Sequence, residues 1–342
     1  MTLADWAATT LGIGLTLYVL LAGADFGAGF WDLFAGSALA GRGRRELIEH
    51  SIGPVWEANH VWLIFVLVLL WTAFPTVFAA VMSTLYIPLT LVALGIIVRG
   101  AAFAFRKASD TLRRQRLFGA AFALSSVVTP FFLGTVAGGI ASGRVPVTIA
   151  GGDLVTSWLN PTSVLGGVLA VGAAAYLAAT YLCADAVRAG HPDLANWFRR
   201  RALLTGLVLG VVAAAGIAVL RTDAPALFDG LTHHGLPVII ASAVTGAASL
   251  LLLLRWRFVA VRVTAALSVA TLLWGWAAGQ YPYLLLPEIT IQAAAATPAV
   301  LWNSLIALGA GGVLLVPSLV WLYTLFQRPT APPSYNPKHA RP

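Results

Sequence analysis

Two acidic residues of this sequence sit where a carboxylate is expensive. Asp25 lies in Gly23-Ala24-Asp25-Phe26-Gly27-Ala28-Gly29-Phe30-Trp31-Asp32, well inside a long apolar run. Glu57 lies in Ser51-Ile52-Gly53-Pro54-Val55-Trp56-Glu57-Ala58-Asn59-His60-Val61-Trp62, at the start of another. An ionisable side chain at the centre of a bilayer costs about 3 kcal/mol on insertion scales, so each needs a reason to be there. His60 follows Glu57 by three residues and can share its helical face, which makes the pair a candidate proton relay. Trp56 and Asn59 are placed to orient Glu57. Asp25, Gly29 and Asp32 lie roughly along one face, and Gly23 and Gly27 at i, i+4 invite a second helix to approach closely. Asp25 therefore has two readings, a polar point in a packing seam or a group that handles protons, and the residues alone leave both open.

Other chemistry is poorly supplied. Glu57-x-x-His60 is half of a di-iron bundle signature, but that signature needs a second copy and two further carboxylates, and no second copy exists. His60 alone among the histidines falls clearly inside an apolar run, and Met82 is the one intramembrane thioether, too few axial ligands for several haems. Neither a metal nor a haem is expected in this chain. Arg99, one or two turns from the end of its apolar run, could pair with Asp25 or Glu57; snorkelling to the interface is the expected outcome. The segment Gln280–Glu288 reads as an irregular aromatic stretch suited equally to quinone contact or to packing.

The elements that must hold these groups follow from composition. The chain has 342 residues, 59% hydrophobic and 10% charged, which excludes a soluble enzyme. Crossing the hydrocarbon takes about 20 apolar residues in a helix. Nine stretches qualify, near 7–33, 55–73, 77–104, 117–139, 162–185, 201–220, 236–254, 260–278 and 300–326. The first has no basic residue before it and only Asp5 as a charge, so it reads as a retained helix and not a cleaved leader. The lone cysteine, Cys183, excludes an intrachain disulfide.

The formal charge of +8 is a topology signal. Lys and Arg cluster at 42–45, 106–116, 188–201, 255–262 and 328–341, whereas the alternate loops hold only Arg144 and Arg221. That alternation predicts nine helices with the N-terminus outside and the C-terminus cytoplasmic, and no nucleic-acid partner. Residues 1–327 form one transmembrane domain in this reading, and the Pro-rich tail 328–342 is expected to be mobile. Asp5, Asp153 and Asp223 fall in loops or at helix ends and are expected to be solvated. Eight helices plus one leave room for a four-plus-four duplication.

Taken together the motifs resemble subunit II of the cytochrome bd quinol oxidases. The likeness is carried by Gly23-Ala24-Asp25-Phe26-Gly27-Ala28-Gly29, by Gly53-Pro54-Val55-Trp56-Glu57-Ala58-Asn59-His60-Val61-Trp62-Leu63-Ile64, and by Ala73-Phe74-Pro75. Arg99 before Gly100, the Gln280–Pro287 segment, and Leu315-Val316-Pro317-Ser318 leading to Tyr323 and Phe326 extend it along the chain.

The resemblance implies an all-α membrane fold of nine helices, two four-helix bundles plus one extra helix, in a bacterial cytoplasmic membrane. It implies a partner subunit I that carries haems b and d and oxidises quinol, with room for small accessory subunits and lipid. This chain would hold no cofactor and would support assembly. The acidic position after Trp56 belongs to a proton path in some members. Here it is Glu57 where others have Asp, and Ala58 and His60 stand where others have Gly and Gln, so a relay through His60 would be particular to a branch. Two alternatives are a secondary transporter, whose sites also use Gly-broken helices and buried carboxylates, and a structural membrane scaffold without chemistry of its own.

Overall fold

The computed structural model describes residues 1–37, 39–52, 56–109 and 111–326. Pro54 and the tail 328–342 therefore lie outside the described residues, as do the side chains of Trp56 and Tyr323. The first half of the chain contains α1 (Leu3–Leu33), α2 (Arg42–Ile52), α3 (Trp56–Ala73), α4 (Pro75–Thr84), α5 (Tyr86–Ala108) and α6 (Leu112–Ala141). The second contains α7 (Pro161–Arg188), α8 (Pro192–Asp223), α9 (Pro225–His233), α10 (Leu236–Leu254) and α11 (Phe258–Gln280). A short antiparallel hairpin, β1 (Tyr283–Leu285) and β2 (Ile289–Thr290), leads through α12 (Ile291–Ala294) to α13 (Pro298–Phe326).

Among the described residues eight helices are long and apolar enough to cross a membrane, and nine if α2 and α3 count together as one broken span. The chain is thus an all-helical, multi-pass membrane protein. Proline sets many of the helix starts, because its missing N–H would be unsatisfied in the first turn anyway: Pro75, Pro161, Pro192, Pro225 and Pro298 each open a helix. At the other extreme Thr2 and Asp5 form a capping box on α1, and Gln292 of α12 donates to both side chains. Asp5 is a built cap and not merely a solvated acid.

The third sequence stretch is not one helix. It divides into α4 and α5 at Leu85, whose φ of −101° and ψ of 26° end one and start the other. The same device recurs in the second half. Phe74 and Ala224 share φ −137° and ψ 60°, each precedes a proline, and each opens a short helix before a long one. The series α3, α4, α5, α6 is matched by α8, α9, α10, α11, a duplication visible in the backbone although barely in the residues.

Packing joins the two halves along α1. It lies against α3 and α6 on one side and α7 on the other, while α7 also meets α6, α8 and α11. The α1–α7 approach depends on Gly27, where a Cβ would overlap the carbonyl of Ala174. Gly23, four residues earlier, has nothing near its Cβ position, so only one of the two glycines makes the close contact expected of both. The α6–α7 crossing uses Gly134 against the backbone of Gly166 in the same way. By contrast α13 packs chiefly on α3 and α1, and most of its surface faces away from this chain.

Side chains fasten the ends. Asp223, expected to be solvated, takes a bidentate pair of hydrogen bonds from Arg144 (2.6 and 3.1 Å) and also receives the amide and hydroxyl of Thr162. In the loop before α7, the Asp153 carboxylate accepts from the amides of Thr156 and Val155, which hold it below the usual carboxylate range. In the Gln280–Glu288 stretch, Gln280 donates to the Leu284 carbonyl at 2.7 Å, and Glu288 accepts from the Val147 amide at 2.8 Å.

Gly27→Ala is expected to destabilise the helix assembly by about 2 kcal/mol, the usual cost of forcing extra volume into a packed contact, while Gly23→Ala is expected to be neutral. The buried thiol of Cys183 on α7 supplies the readout. Its labelling on heating should begin at lower temperature in Gly27→Ala and be unchanged in Gly23→Ala.

Candidate functional site

Asp25 faces the interior of the helix cluster and is 7% exposed. Its Oδ2 accepts from Asn59 Nδ2 at 2.6 Å, a side-chain link between α1 and α3. The two residues meet because the apolar face of α3 turns Asn59 inward, where its amide needs a partner and finds the carboxylate. Asn59 thus contacts Asp25, not Glu57, and its orienting role applies to a different acid from the one the sequence suggested.

Arg99 completes the cluster from α5. It is 1% exposed, so it does not snorkel. Its Nη2 donates to the backbone carbonyl of Asp25 at 2.9 Å, and its Nε donates to Ser126 Oγ on α6 at 3.1 Å. The guanidinium carbon stands 5.0 Å from the Phe26 ring centroid and 4.9 Å from that of Phe122. Two aromatic faces and charge-assisted hydrogen bonds replace the water that a cation would otherwise need. The sequence placed Arg99 near a helix end, where a long side chain can reach the interface; the position on α5 instead turns it towards α1.

His60 lies beside this cluster. Its ring packs edge-on to Phe26 at 5.8 Å and tilted to Tyr18 at 6.1 Å. Glu57 is different. It stands in the first turn of α3, exposed, and makes no hydrogen bond or ion pair among the described residues. It is therefore a carboxylate at a helix mouth and not a buried one. The side chain of Trp56 lies outside the described residues.

A further acid shares the Asp25 face of α1. Asp32, in the last turn of α1, accepts from Arg45 Nε at 2.9 Å and from Arg106 Nη1 at 2.7 Å. Arg106 also reaches Glu49 at 3.1 Å. The seven-residue spacing from Asp25 repeats after two turns and puts both acids on one face of α1, as the sequence indicated, but spacing gives no sign of the arginines that Asp32 meets. No three His, Cys, Asp or Glu side chains converge in a metal-binding arrangement among the described residues.

This arrangement can hold a carboxylate in a dry interior with its backbone clamped by a cation and its oxygen fixed by an amide. A second carboxylate at the end of the adjoining helix is open to water or to another protein. Carboxylates in these two settings are chemically able to take up and release protons.

Known proteins resemble this chain in sequence and in fold. The family model for "Cytochrome bd terminal oxidase subunit II" matches residues 3–326. "Cytochrome bd ubiquinol oxidase subunit 2" of Bacillus subtilis is 33% identical over 156 residues, 44% of this chain and 44% of that protein. "Cytochrome bd-I ubiquinol oxidase subunit 2" of Escherichia coli K12 is 30% identical over 179 residues, 50% of this chain and 46% of its own length. The chain thus spans less than half the length of either of these curated relatives in the matched segments. Among solved structures, the bd oxidase from Geobacillus thermodenitrificans contains a chain that superposes with a TM-score of 0.75 at 26% identity, covering 96% of this chain and all of that one.

Arg99→Gln shortens the side chain and removes the charge that spans α1, α5 and α6. It is expected to cost about 3 kcal/mol, because it leaves buried acceptors and a buried carboxylate without their cation. The onset of Cys183 labelling on heating should fall accordingly, and Arg99→Lys should recover only part of the loss, since an ammonium cannot reproduce the planar fork. An onset unchanged in Arg99→Gln removes the structural role given to this residue.

Proposed function

This chain belongs to the cytochrome bd terminal oxidase subunit II family, and from that premise we propose that it is the haem-free subunit of a quinol-oxidising, dioxygen-reducing complex in which it delivers protons. Its partner is subunit I, which carries haems b and d and meets quinol. Reduction of one dioxygen to two waters consumes four electrons and four protons. Two quinols supply the electrons and release four protons at their own oxidation site. If the protons consumed at the oxygen site are drawn from the cytoplasm and those from quinol leave outside, charge separation follows without a pump.

The observation that carries this reading is the Asn59–Asp25 link beside a buried Arg99, with Glu57 open two residues before Asn59 on the same helix. In the proposed path Glu57 takes a proton from water at the end of α3. Asp25 receives it deeper in the helix cluster, with His60 as a further relay where its ring adjoins Phe26. Asn59 fixes the Asp25 carboxylate, and Arg99 fixes the backbone that bears it, so neither needs to change protonation. Transfer through a positioned acid or base contributes roughly a hundredfold or more where it is needed.

The topology that feeds this path has nine spans, with α2 and α3 acting together as the second, the N-terminus outside and the arginine-rich loops in the cytoplasm. Residues 1–327 act as one transmembrane unit. The exposed flanks of α8 and α13 are available for lipid and for subunit I.

Glu57→Gln and Asp25→Asn are each expected to lower quinol-dependent oxygen consumption about tenfold or more, with the haem spectrum of the purified complex intact. Glu57→Asp should keep most of the activity. Undiminished oxygen uptake in both neutral variants eliminates the proton path and leaves the chain as a scaffold. Accessibility tags at the two termini should report opposite sides of the membrane in intact cells; a single shared compartment overturns the nine-span topology.

A further inference from the structure

The arginine-rich end of the helices contains more cations than acids, and most of the acids are already engaged. Asp32 is shared by Arg45 and Arg106, Glu49 is met by Arg106, Glu46 by Arg42 at 2.7 Å, and Asp185 by Arg262 and by Arg188 at 3.4 Å. Asp193 and Glu57 stand exposed at the first turns of α8 and α3 and make no ion pair among the described residues. Arg199, half-buried on the Trp256 ring at 4.7 Å, meets no carboxylate among the described residues but is held by the Leu253 carbonyl and Asn196, and two further arginines share a single ring. Arg44 of α2 and Arg201 of α8 meet no carboxylate among the described residues, yet both are only half-exposed and both lie on the same indole.

That indole is Trp197. The Arg201 guanidinium carbon is 3.2 Å from its ring centroid and that of Arg44 is 4.6 Å away. The ring is fixed by two edge contacts, to Trp31 of α1 at 6.3 Å and to Phe198 at 4.8 Å. Each guanidinium is also tethered by one nitrogen: Arg44 Nη1 donates to the Ala35 carbonyl at 2.7 Å, and Arg201 Nη1 donates to the Trp197 carbonyl at 3.1 Å. A guanidinium has five N–H donors, so each retains several.

Two positive charges brought to one ring repel each other. A cation–π contact offsets only about 1 kcal/mol of this at a partly exposed site. The arrangement becomes favourable as a whole when an anion with several acceptor oxygens joins it, and a phosphate matches the planar donor fork. The site also occupies the end of membrane-crossing helices, where phosphate groups of lipid are concentrated.

We propose that Arg44, Trp197 and Arg201 form a binding site for a phosphate-bearing anion, clamping α2 to α8 across the end of α1. The ligand class is a phosphate oxyanion, carried by an anionic phospholipid headgroup or free in solution. The site requires only that this end of the helices meets the membrane surface, and it is independent of the proton path through Glu57 and Asp25.

The test uses the intact oxidase purified in mild detergent and stripped of loosely held lipid. Retained lipid is counted by native mass spectrometry, and the protein is then titrated separately with phosphatidylglycerol, phosphatidylcholine and inorganic phosphate while its thermal midpoint is followed. Wild type should bind phosphatidylglycerol about tenfold more tightly than the Arg44→Gln/Arg201→Gln double variant. Both should bind phosphatidylcholine equally weakly. Arg200→Gln, at an exposed neighbouring position, should behave as wild type. A response to inorganic phosphate that matches the lipid response and disappears in the double variant keeps the site and assigns it to a soluble anion. Equal affinity of wild type and double variant for both anions overturns the proposal, as does an equal loss in Arg200→Gln. Where the double variant fails to assemble, the single Arg44→Gln is read instead: a fall of at least about threefold in phosphatidylglycerol affinity supports the site, and no change overturns it.

Discussion

A guanidinium inside a bilayer must be given substitutes for every interaction it had with water, and the packing of this protein is arranged around doing so for Arg99. Its nitrogens reach α1 through the Asp25 carbonyl and α6 through Ser126, and Phe26 and Phe122 cover its faces. None of these contacts can form unless α1 lies at a defined height and rotation against α5 and α6. Gly27 fixes the opposite side of the same stretch of α1 by admitting the backbone of α7. The helix is therefore held between a polar clamp on one side and a steric fit on the other, both within one turn of Asp25. The carboxylate takes its position from these two constraints, and Asn59 supplies the third.

The two halves of the chain share backbone devices but not polar content. The Phe74–Pro75 and Ala224–Pro225 breaks are alike to the degree in φ and ψ. The first half then invests in charge, with Asp25, Arg99 and Asp32 on or against α1. The second buries neutral partners, the Tyr176 hydroxyl with Ser249 and Ser242 with Ser268, each of which donates to the other's backbone carbonyl, and keeps its carboxylate pairs, Asp185 with Arg262 and Asp223 with Arg144, partly exposed. Between α7, α8, α10 and α11 it leaves a cavity of about 530 Å3 with an almost wholly apolar lining. A scaffold can be duplicated at little energetic expense, because helices in lipid satisfy their own backbones. A fully buried arginine beside a buried carboxylate needs specific partners for both, and among the described residues that arrangement occurs at Asp25 and Arg99.

Much of this was legible in the sequence because lipid imposes it. Helix lengths and the alternation of arginine-rich and arginine-poor loops follow from hydrocarbon thickness and insertion bias, and both can be read without knowing any contact. The identities of the important residues on α1 and α3 were also accessible, since a polar group in an apolar run is conspicuous. Their partners were not. Arg99 was expected at the interface and is enclosed, because helical periodicity gives the face of a residue but not the neighbour that face will meet. The same gap explains Asn59, paired with Asp25 and not with Glu57, and Gly23, which has the right residue type at a point where no helix crosses. The division at Leu85 was hidden for another reason: both sides of the break are apolar, so hydropathy carries no mark of it.

Three settings of arginine among the described residues separate by partner. Those that face carboxylates, such as Arg45 and Arg106 on Asp32 or Arg144 on Asp223, fasten helix ends to neighbouring helices and loops. Arg99, enclosed and held to a backbone carbonyl, sets helix register. Arg44 and Arg201, stacked on Trp197 without an acid, carry charge that nothing among the described residues neutralises. Counted only as basic residues, all of these contribute to the same +8. Sorted by what each guanidinium touches, the first group is structural and the second positions a candidate proton carrier. The third is the one to which the proposed anion would bring its counter-charge. Because Arg44 lies on α2 and Arg201 on α8, an anion that completes it would also bind a helix of the first half to one of the second, at the end opposite the Asp223 clasp.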